Sequence, residues 1–266
     1  MLLRNRPLLP TNQDPVLIRD RTTVLTSAIL LLVAVAAWVL VVLSSVHGED
    51  MAMPMPLSIP DGLVFTTCWA VMMTAMMLPS ALPMVALYGA MQRGAVAAGT
   101  KGVPVAVFTL VYLGVWAATG LPVYFAHTLL AGLTGSTLAY AIGVILVAAG
   151  AYQLSPLKQV CLRACRSPLG FLLGHWRAGH RGSLALGWSH ALYCLGCCWA
   201  LMLVLVAAGA MGLPWVLLIT AVVAAEKLMW GGDWIARIAG SALVLLGVTV
   251  ALRPDLVTAL RSGHPM

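Results

Sequence analysis

Apolar residues run along this chain in blocks about as long as a bilayer is thick, separated by short polar segments. A helix needs about 20 mainly apolar residues to cross the hydrocarbon layer. Seven blocks reach roughly this length, so we predict an all-α, polytopic transmembrane helix bundle of about seven spans. The predicted spans are residues 22–46, 63–91, 103–129, 136–153, 185–209, 213–229 and 234–252.

The first block has the length of a membrane helix rather than of a signal peptide. It follows a basic segment that ends at Arg21 and continues for about 25 residues, from Thr22 to Val46, whereas a signal-peptide core covers roughly 7–15. No small-residue cleavage site stands out after it. We therefore expect it to be retained as the first membrane helix, preceded by a cytoplasmic segment over residues 1–21.

Composition supports a membrane protein. The chain is 61% hydrophobic and 9% charged, against roughly 25% charged in ordinary soluble domains. The formal net charge of +7 comes from short segments between apolar blocks. No basic stripe interleaved with aromatic residues is present, so we do not expect nucleic acid as a partner; the expected surroundings are a lipid bilayer.

The distribution of basic residues predicts the orientation of the chain. With the N-terminus in the cytoplasm, thirteen of the fifteen Lys and Arg residues fall in inner segments, as the positive-inside rule requires. The bundle is then residues 22–253, with an outer loop over 47–62, a basic inner loop over 154–184 and an outer tail over 254–266. We expect a multi-pass protein of a bacterial inner membrane. In the inner loop, Pro156, Pro168 and the apolar run 169–173 favour a short helix at the membrane surface.

The fifth predicted span carries a stripe of metal-ligand side chains. At 3.6 residues per turn, His190, Cys194 and Cys197 fall within an arc of about 60°, with Cys198 beside it. Polar and ionisable groups at membrane depth are costly and are functional candidates by default.

The second predicted span runs in the opposite direction and is rich in sulfur. Cys68, Met72 and Met76 share one helical face, and Met73 and Met77 share the neighbouring face. Pro79 and Pro83 follow and are expected to bend the helix.

The donor set favours Cu(I). Thiolate, thioether and imidazole together suit a soft ion. Zinc is the competing ion because Cys and His are also its ligands, but methionine adds little to a zinc site. The alternative is packing, because Met is a flexible apolar filler and free Cys a small hydrophobe. Four Met within six residues, three Cys within five and a His on the same stripe make packing alone a poor explanation.

Two loops add candidate ligands. Met51, Met53 and Met55 in the outer loop resemble the methionine tracts that collect copper outside the cytoplasm, although a Pro-rich linker is the alternative. Cys161 and Cys165 in the inner loop lie one helical turn apart. Flanking basic residues are expected to lower their pKa values, and we leave open whether they are ligands, a redox pair or structural.

The remaining polar groups and absent motifs narrow the function. For Glu226 and Lys227 the default expectation is an interfacial Glu beside a Lys that reaches the surface, and His127 is expected to be solvated. The sequence has no phosphate-binding loop of the G-x-x-x-x-G-K-[ST] type and no Asp-Lys-Thr-Gly phosphorylation loop, so it is not expected to hydrolyse ATP.

Three long segments and one short one resemble a known family. They are MMTAMMLPSALPM (72–84), YQLSPLKQVCLRACRSPLGFL (152–172), SHALYCLGCCWALM (189–202) and AEKL (225–228). The chain, from about Leu63 to Arg253, resembles the bacterial family of predicted metal-binding integral membrane proteins, sometimes labelled copper chaperones. The resemblance implies metal binding at the positions that match its motifs. These are Met72, Met73, Met76, Met77, Cys161, Cys165, His190, Cys194, Cys197, Cys198 and Glu226.

The sequence thus predicts a non-enzymatic protein that binds Cu(I) in the membrane and transports or delivers it. An outer copper protein or a cytoplasmic metal acceptor is the expected partner, and a homo-oligomer stays open. One alternative is a membrane thiol–disulfide oxidoreductase that uses the C-x-x-C at Cys194 and Cys197. Another is an assembly subunit whose Met and Cys residues only pack.

Overall fold

The computed structural model describes residues 21–46, 58–97, 99, 102–177, 179–209 and 212–257, with side chains from residue 24. Helices account for nearly all of these residues and no strand occurs among them, which confirms the predicted all-α class. The helices are α1 (Arg21–Val46), α2 (Ile59–Ala97), α3 (Val105–Ala118), α4 (Gly120–Ala131), α5 (Gly135–Leu154), α6 (Pro156–Arg166), α7 (Pro168–His175), α8 (Gly179–Ala207), α9 (Leu213–Leu228) and α10 (Gly232–Leu252).

Six stretches of these helices are long and apolar enough to cross a membrane. Five are α1, α2, α5, α8 and α10, and the sixth is α3 with α4, which continue one another across Thr119. The remaining predicted span, 213–229, corresponds to α9, which has 16 residues. At 1.5 Å per residue α9 is about 24 Å long, which is shorter than a hydrocarbon layer of about 30 Å.

Helices α5 and α10 pack closely against each other. Gly143 faces Gly247, and Gly150 faces Gly240, so α5 and α10 run antiparallel. A Cβ at position 150 would lie 2.6 Å from the carbonyl oxygen of Gly240, because the two backbones touch here. α9 runs back along α8, since Lys227 in the last turn of α9 contacts Cys194 in the middle of α8.

The core lies where α2, α3 and α8 meet. All four predicted methionine ligands of α2 are at most 2% exposed. Tyr112 of α3 contacts Cys194 of α8, and Tyr88 of α2 stacks on Phe108 of α3 at 4.8 Å. The sulfur-bearing faces of α2 and α8 therefore point into the protein and not toward lipid.

Two short helices, α6 and α7, pack against one end of this core. The Ser155 hydroxyl caps α6 by accepting from the Lys158 amide at 3.3 Å, and Pro156 and Pro168 occupy the first turns of α6 and α7, where proline is tolerated. The single surface helix expected in this loop is thus a pair of helices, and Phe171 of α7 is buried against His190.

One polar residue lies elsewhere than the sequence indicated. His127 of α4 is fully buried and stacks on Phe65 of α2 with ring centroids 5.7 Å apart. The expectation that it is solvated was wrong, because α4 turns this face toward α2.

Candidate metal centre

Three thiols from two helices converge in the interior. The Sγ atoms of Cys165 on α6 and of Cys194 and Cys197 on α8 all lie within 4.8 Å of one another. Cys165 Sγ is 3.8 Å from Cys197 Sγ. The thiol of Cys198 lies 3.3 Å from that of Cys197, so a fourth sulfur borders this group. Cys165, Cys194 and Cys197 are called the thiol trio below.

The thiol trio forms because α6 can approach α8 closely. Gly196 faces Cys161, and a Cβ at position 196 would lie 2.7 Å from the Cys161 sulfur. Tyr152 donates its hydroxyl to the Gly196 carbonyl at 2.6 Å. With Cys161 seated on Gly196, the next turn of α6 places Cys165 opposite Cys197. None of the six cysteines, all of which lie in the described ranges, forms a disulfide.

A buried ammonium group lies against the thiol trio. Lys227 Nζ donates to Cys194 Sγ at 3.1 Å and to Ser80 Oγ at 3.2 Å, and it lies 3.9 Å from Met77 Sδ. The Tyr112 hydroxyl is also 3.1 Å from Cys194 Sγ. Lys227 is 8% exposed, so the expectation of a lysine reaching for the surface was wrong. Its aliphatic chain runs inward because Cys194 and Ser80 offer it partners.

Glu226, the neighbour of Lys227, is part of a second buried polar group. Its carboxylate accepts from Lys158 Nζ at 2.6 Å and from Gln153 Nε2 at 2.8 Å, and Lys158 also donates to Gln153 Oε1. Glu226 is 1% exposed, so its assignment to the interface was wrong as well. The network joins α5, α6 and α9 and thereby fixes α6 and α9, which carry Cys165 and Lys227.

His190 lies one turn before Cys194 on the same face of α8. Its ring stacks on Tyr112 at 5.2 Å and on Phe108 at 5.7 Å. Both ring nitrogens are buried without a hydrogen-bond partner among the described residues. A buried polar group is normally paired, so these nitrogens are available to a ligand.

A cavity of about 190 Å³ connects His190 with the thiols. Cys165, Cys194 and Lys227 line it together with Met84 of α2. The cavity gives an ion or a small ligand access to the buried sulfur atoms from the end of the bundle where α6 and α7 lie.

The other predicted ligands are placed less closely. Met77 contacts Lys227, and Met84 lines the cavity. The remaining predicted methionine ligands of α2, Met72, Met73 and Met76, are buried in the core. Cys68, nearer the N-terminal end of α2, is partly buried and is not part of the thiol trio. Met51, Met53 and Met55 lie outside the described residues.

Cys161 and Cys165 are separated by the structure although they share a helix. Cys161 contacts Gly196, and Cys165 joins the thiol trio. Burial raises the pKa of the Cys161 thiol, and the hydrogen bond with Cys194 raises the pKa of the Cys165 thiol. The expectation that flanking basic residues lower both pKa values was wrong; Lys158 is paired with Glu226, and Arg166 donates to two backbone carbonyl oxygens.

Sequence reasoning did not find Lys227 and Tyr112 as members of the site. The sequence feature that could have identified Lys227 is its position at the end of an apolar block. An ionisable group at membrane depth is a functional candidate. Tyr112 gave no signal, because an aromatic residue in an apolar helix is ordinary packing.

Comparison with known protein families assigns the chain to one of them. The model of the family described as PpoB2, copper chaperone, matches residues 66–250, which contain every described helix except α1 and the first turns of α2 and last turn of α10. The chain belongs to the PpoB2 copper chaperone family. No curated protein and no solved structure matches it.

The thiol trio of this copper chaperone family member fits a soft ion. Metal–sulfur bonds of about 2.3 Å separate the sulfur atoms of a three-coordinate ion by about 4.0 Å. The observed spacing of at most 4.8 Å reaches this value with a small inward rotation of the side chains. The candidate donors are thiols, a thioether and an imidazole, and no Asp or Glu is among the described residues that line the cavity, which suits Cu(I).

Proposed function

We propose that this protein binds Cu(I) inside a bacterial inner membrane through Cys165, Cys194 and Cys197 and passes the ion on. The observation that carries the proposal is the thiol trio itself, because three sulfur atoms from two helices, two of them fully buried, lie within 4.8 Å of one another. Membership of a copper chaperone family supports copper as the ion.

The positive charge of Lys227 would offset the negative charge of a Cu(I) site built from thiolates. Three thiolates around one monovalent ion leave a net negative centre, and an isolated charge is costly to bury. The ammonium 3.1 Å from Cys194 Sγ compensates part of that charge. The imidazole of His190 and the thiol of Cys198 would supply further donors beside the trio.

The methionines provide weaker sites on a route to the trio. We propose that Met51, Met53 and Met55 collect the ion outside, and that Cys68, Met72, Met73, Met76 and Met77 pass it along α2. Thioethers need no deprotonation, so they bind Cu(I) without releasing a proton. An outer copper protein and a cytoplasmic metal acceptor are the proposed partners. Cys161 would be a further thiol ligand on the cytoplasmic side of the route.

Stoichiometric Cu(I) titration of the reduced, purified full chain tests the proposal. We expect at least one Cu(I) per chain, held more tightly than Zn²⁺, and held more weakly by Cys194→Ala and Cys197→Ala. Failure to bind Cu(I), or unchanged binding in both variants, would refute it. Matched folding of the variants is verified by their thermal unfolding in detergent.

The oxidoreductase alternative predicts a different outcome. A thiol–disulfide exchange enzyme needs an accessible attacking thiolate, but Cys194 and Cys197 are each 1% exposed. A mixed disulfide trapped with a protein partner in Cys197→Ser would support that alternative over metal transfer.

A further inference from the structure

The cavity that reaches the thiol trio continues into an open groove at the same end of the bundle. Arg166, Lys227 and Leu228 line both the cavity of about 190 Å³ and the groove of about 320 Å³. Met229 and Trp230 complete the groove. The two spaces together are called the inner vestibule, since the basic-residue count places this end in the cytoplasm.

The inner vestibule carries positive charge. Two of its lining residues are cationic, and among the described residues that line it none is Asp or Glu. The nearby carboxylate of Glu226 is paired with Lys158. Asp233 lies 3.4 Å from the Arg166 guanidinium and is itself half exposed, so it offsets only part of the charge.

Arg166 is held in place at the rim. Its Nη2 group donates to the carbonyl oxygens of Met229 at 2.8 Å and Trp230 at 2.9 Å. The guanidinium therefore stays beside the opening, where a ligand on its way to Cys165 must pass it. Fixed charges at the mouth of a cleft attract ligands of opposite charge and repel those of like charge.

A bare Cu(I) ion has the wrong sign for this opening. A Cu(I) ion held by two thiolates of a small thiol that has no cationic group is an anion, and its thiolates can be exchanged for protein thiols. We propose that the inner vestibule exchanges Cu(I) with an anionic bis-thiolate complex of a small thiol and not with the free cation. This inference rests on the proposed function, because it concerns the same ion and the same thiols.

The exchange balances without a redox partner. The bond between copper and one carrier sulfur breaks as the bond to Cys165 Sγ forms. The Cys165 proton moves to the departing sulfur, so the carrier leaves as a protonated thiol with one negative charge fewer than its thiolate form. A second exchange at Cys197 releases the other carrier in the same way, and copper remains Cu(I) throughout.

Three carriers of similar size and different charge test the inference. Cu(I) is offered to the reduced full chain as its complex with 3-mercaptopropionate, 2-mercaptoethanol or cysteamine, and the rate of loading is followed by stopped-flow absorbance. The first complex is strongly anionic, the second singly anionic and the third cationic. We expect loading to slow in that order by about tenfold overall, and we expect added salt to reduce the difference.

Variants at the rim identify the charge responsible. Arg166→Gln should reduce the difference in loading rate between the carriers, and Arg166→Lys should preserve that difference. Asp233→Asn should enlarge it. Arg163→Gln removes an exposed charge one turn earlier on α6, outside the vestibule, and should change nothing. Because Asp233→Asn keeps every contact of Arg166 with the carbonyl groups, it tests charge even if Arg166→Gln folds poorly.

Two failures are distinguishable. Absence of Cu(I) from the protein with every carrier would refute the proposed function. Equal loading rates from all three carriers, or rate differences that Arg166→Gln and Asp233→Asn leave unchanged, would overturn only the inference about the vestibule and would favour a protein as the donor.

Discussion

Lys227 Nζ lies 3.1 Å from Cys194 Sγ, although the two residues belong to different helices and both are buried. An ammonium beside a candidate metal ligand stabilises the negative charge that develops when thiols become thiolates. The same ammonium competes with a metal ion of higher charge, because two cations then share one small interior. This pairing favours a monovalent soft ion at the site.

Replacing Lys227 should weaken Cu(I) binding without abolishing it. In Lys227→Met the loaded site loses its compensating charge, and we expect the dissociation constant to rise about tenfold, the effect of one charge-assisted hydrogen bond. Lys227→Arg keeps the charge and should stay close to wild type. Competition against a Cu(I) chelator measures the affinity of both variants. Equal affinities of Lys227→Met and Lys227→Arg would contradict a charge-compensating role for Lys227.

The two cysteines of α6 should differ in their effect on affinity. Cys165→Ser removes one of three ligand sulfurs, so we expect Cu(I) to bind at least about tenfold more weakly, or about 1.4 kcal/mol. Cys161→Ser, one turn away and outside the thiol trio, should change affinity little. The same chelator competition applies, and a larger loss in Cys161→Ser would show that the trio is wrongly assigned.

Breaking the buried network of α5, α6 and α9 should destabilise the fold. Glu226→Gln leaves Lys158 as a buried charge without its carboxylate, at a cost of about 3–5 kcal/mol. The double variant Glu226→Gln, Lys158→Met removes both charges and should recover much of that loss. Thermal unfolding in detergent measures the difference. A double variant no more stable than Glu226→Gln would exclude charge imbalance as the cause.

Close packing of α5 on α10 predicts a sensitive glycine. Gly150→Ala would place its Cβ 2.6 Å from a backbone oxygen of Gly240, so the helices must separate, and we expect a loss of about 1–3 kcal/mol. Gly114→Ala meets nothing within 4 Å and should be neutral or stabilising, as Ala is favoured over Gly in helices by about 1 kcal/mol. Equal unfolding temperatures for the two variants would argue against this contact.

Helical periodicity alone predicted the part of the site that belongs to one helix. The spacing of His190, Cys194 and Cys197 fixes them to one face of α8, and apolar length identified α8 as a span. The structure adds that this face points inward against α2 and α3. The assignment of these residues as ligands stays a prediction.

Long-range packing supplied what the sequence could not. Cys165 reaches Cys197 only because Gly196 admits α6, a contact between segments about 30 residues apart. Lys227 is buried because Cys194 offers it a partner on another helix. Neither relationship leaves a periodic pattern in the chain, so the sequence left the role of Cys161 and Cys165 open and predicted that Lys227 reaches the surface.

X-ray absorption at the copper edge of the reduced, Cu(I)-loaded full chain tests the central claim most directly. We expect a first shell of about three sulfur atoms at about 2.3 Å, reduced by one in Cys194→Ser. A first shell of nitrogen or oxygen atoms, or a sulfur shell that Cys194→Ser and Cys165→Ser both leave unchanged, would contradict a copper centre at the thiol trio.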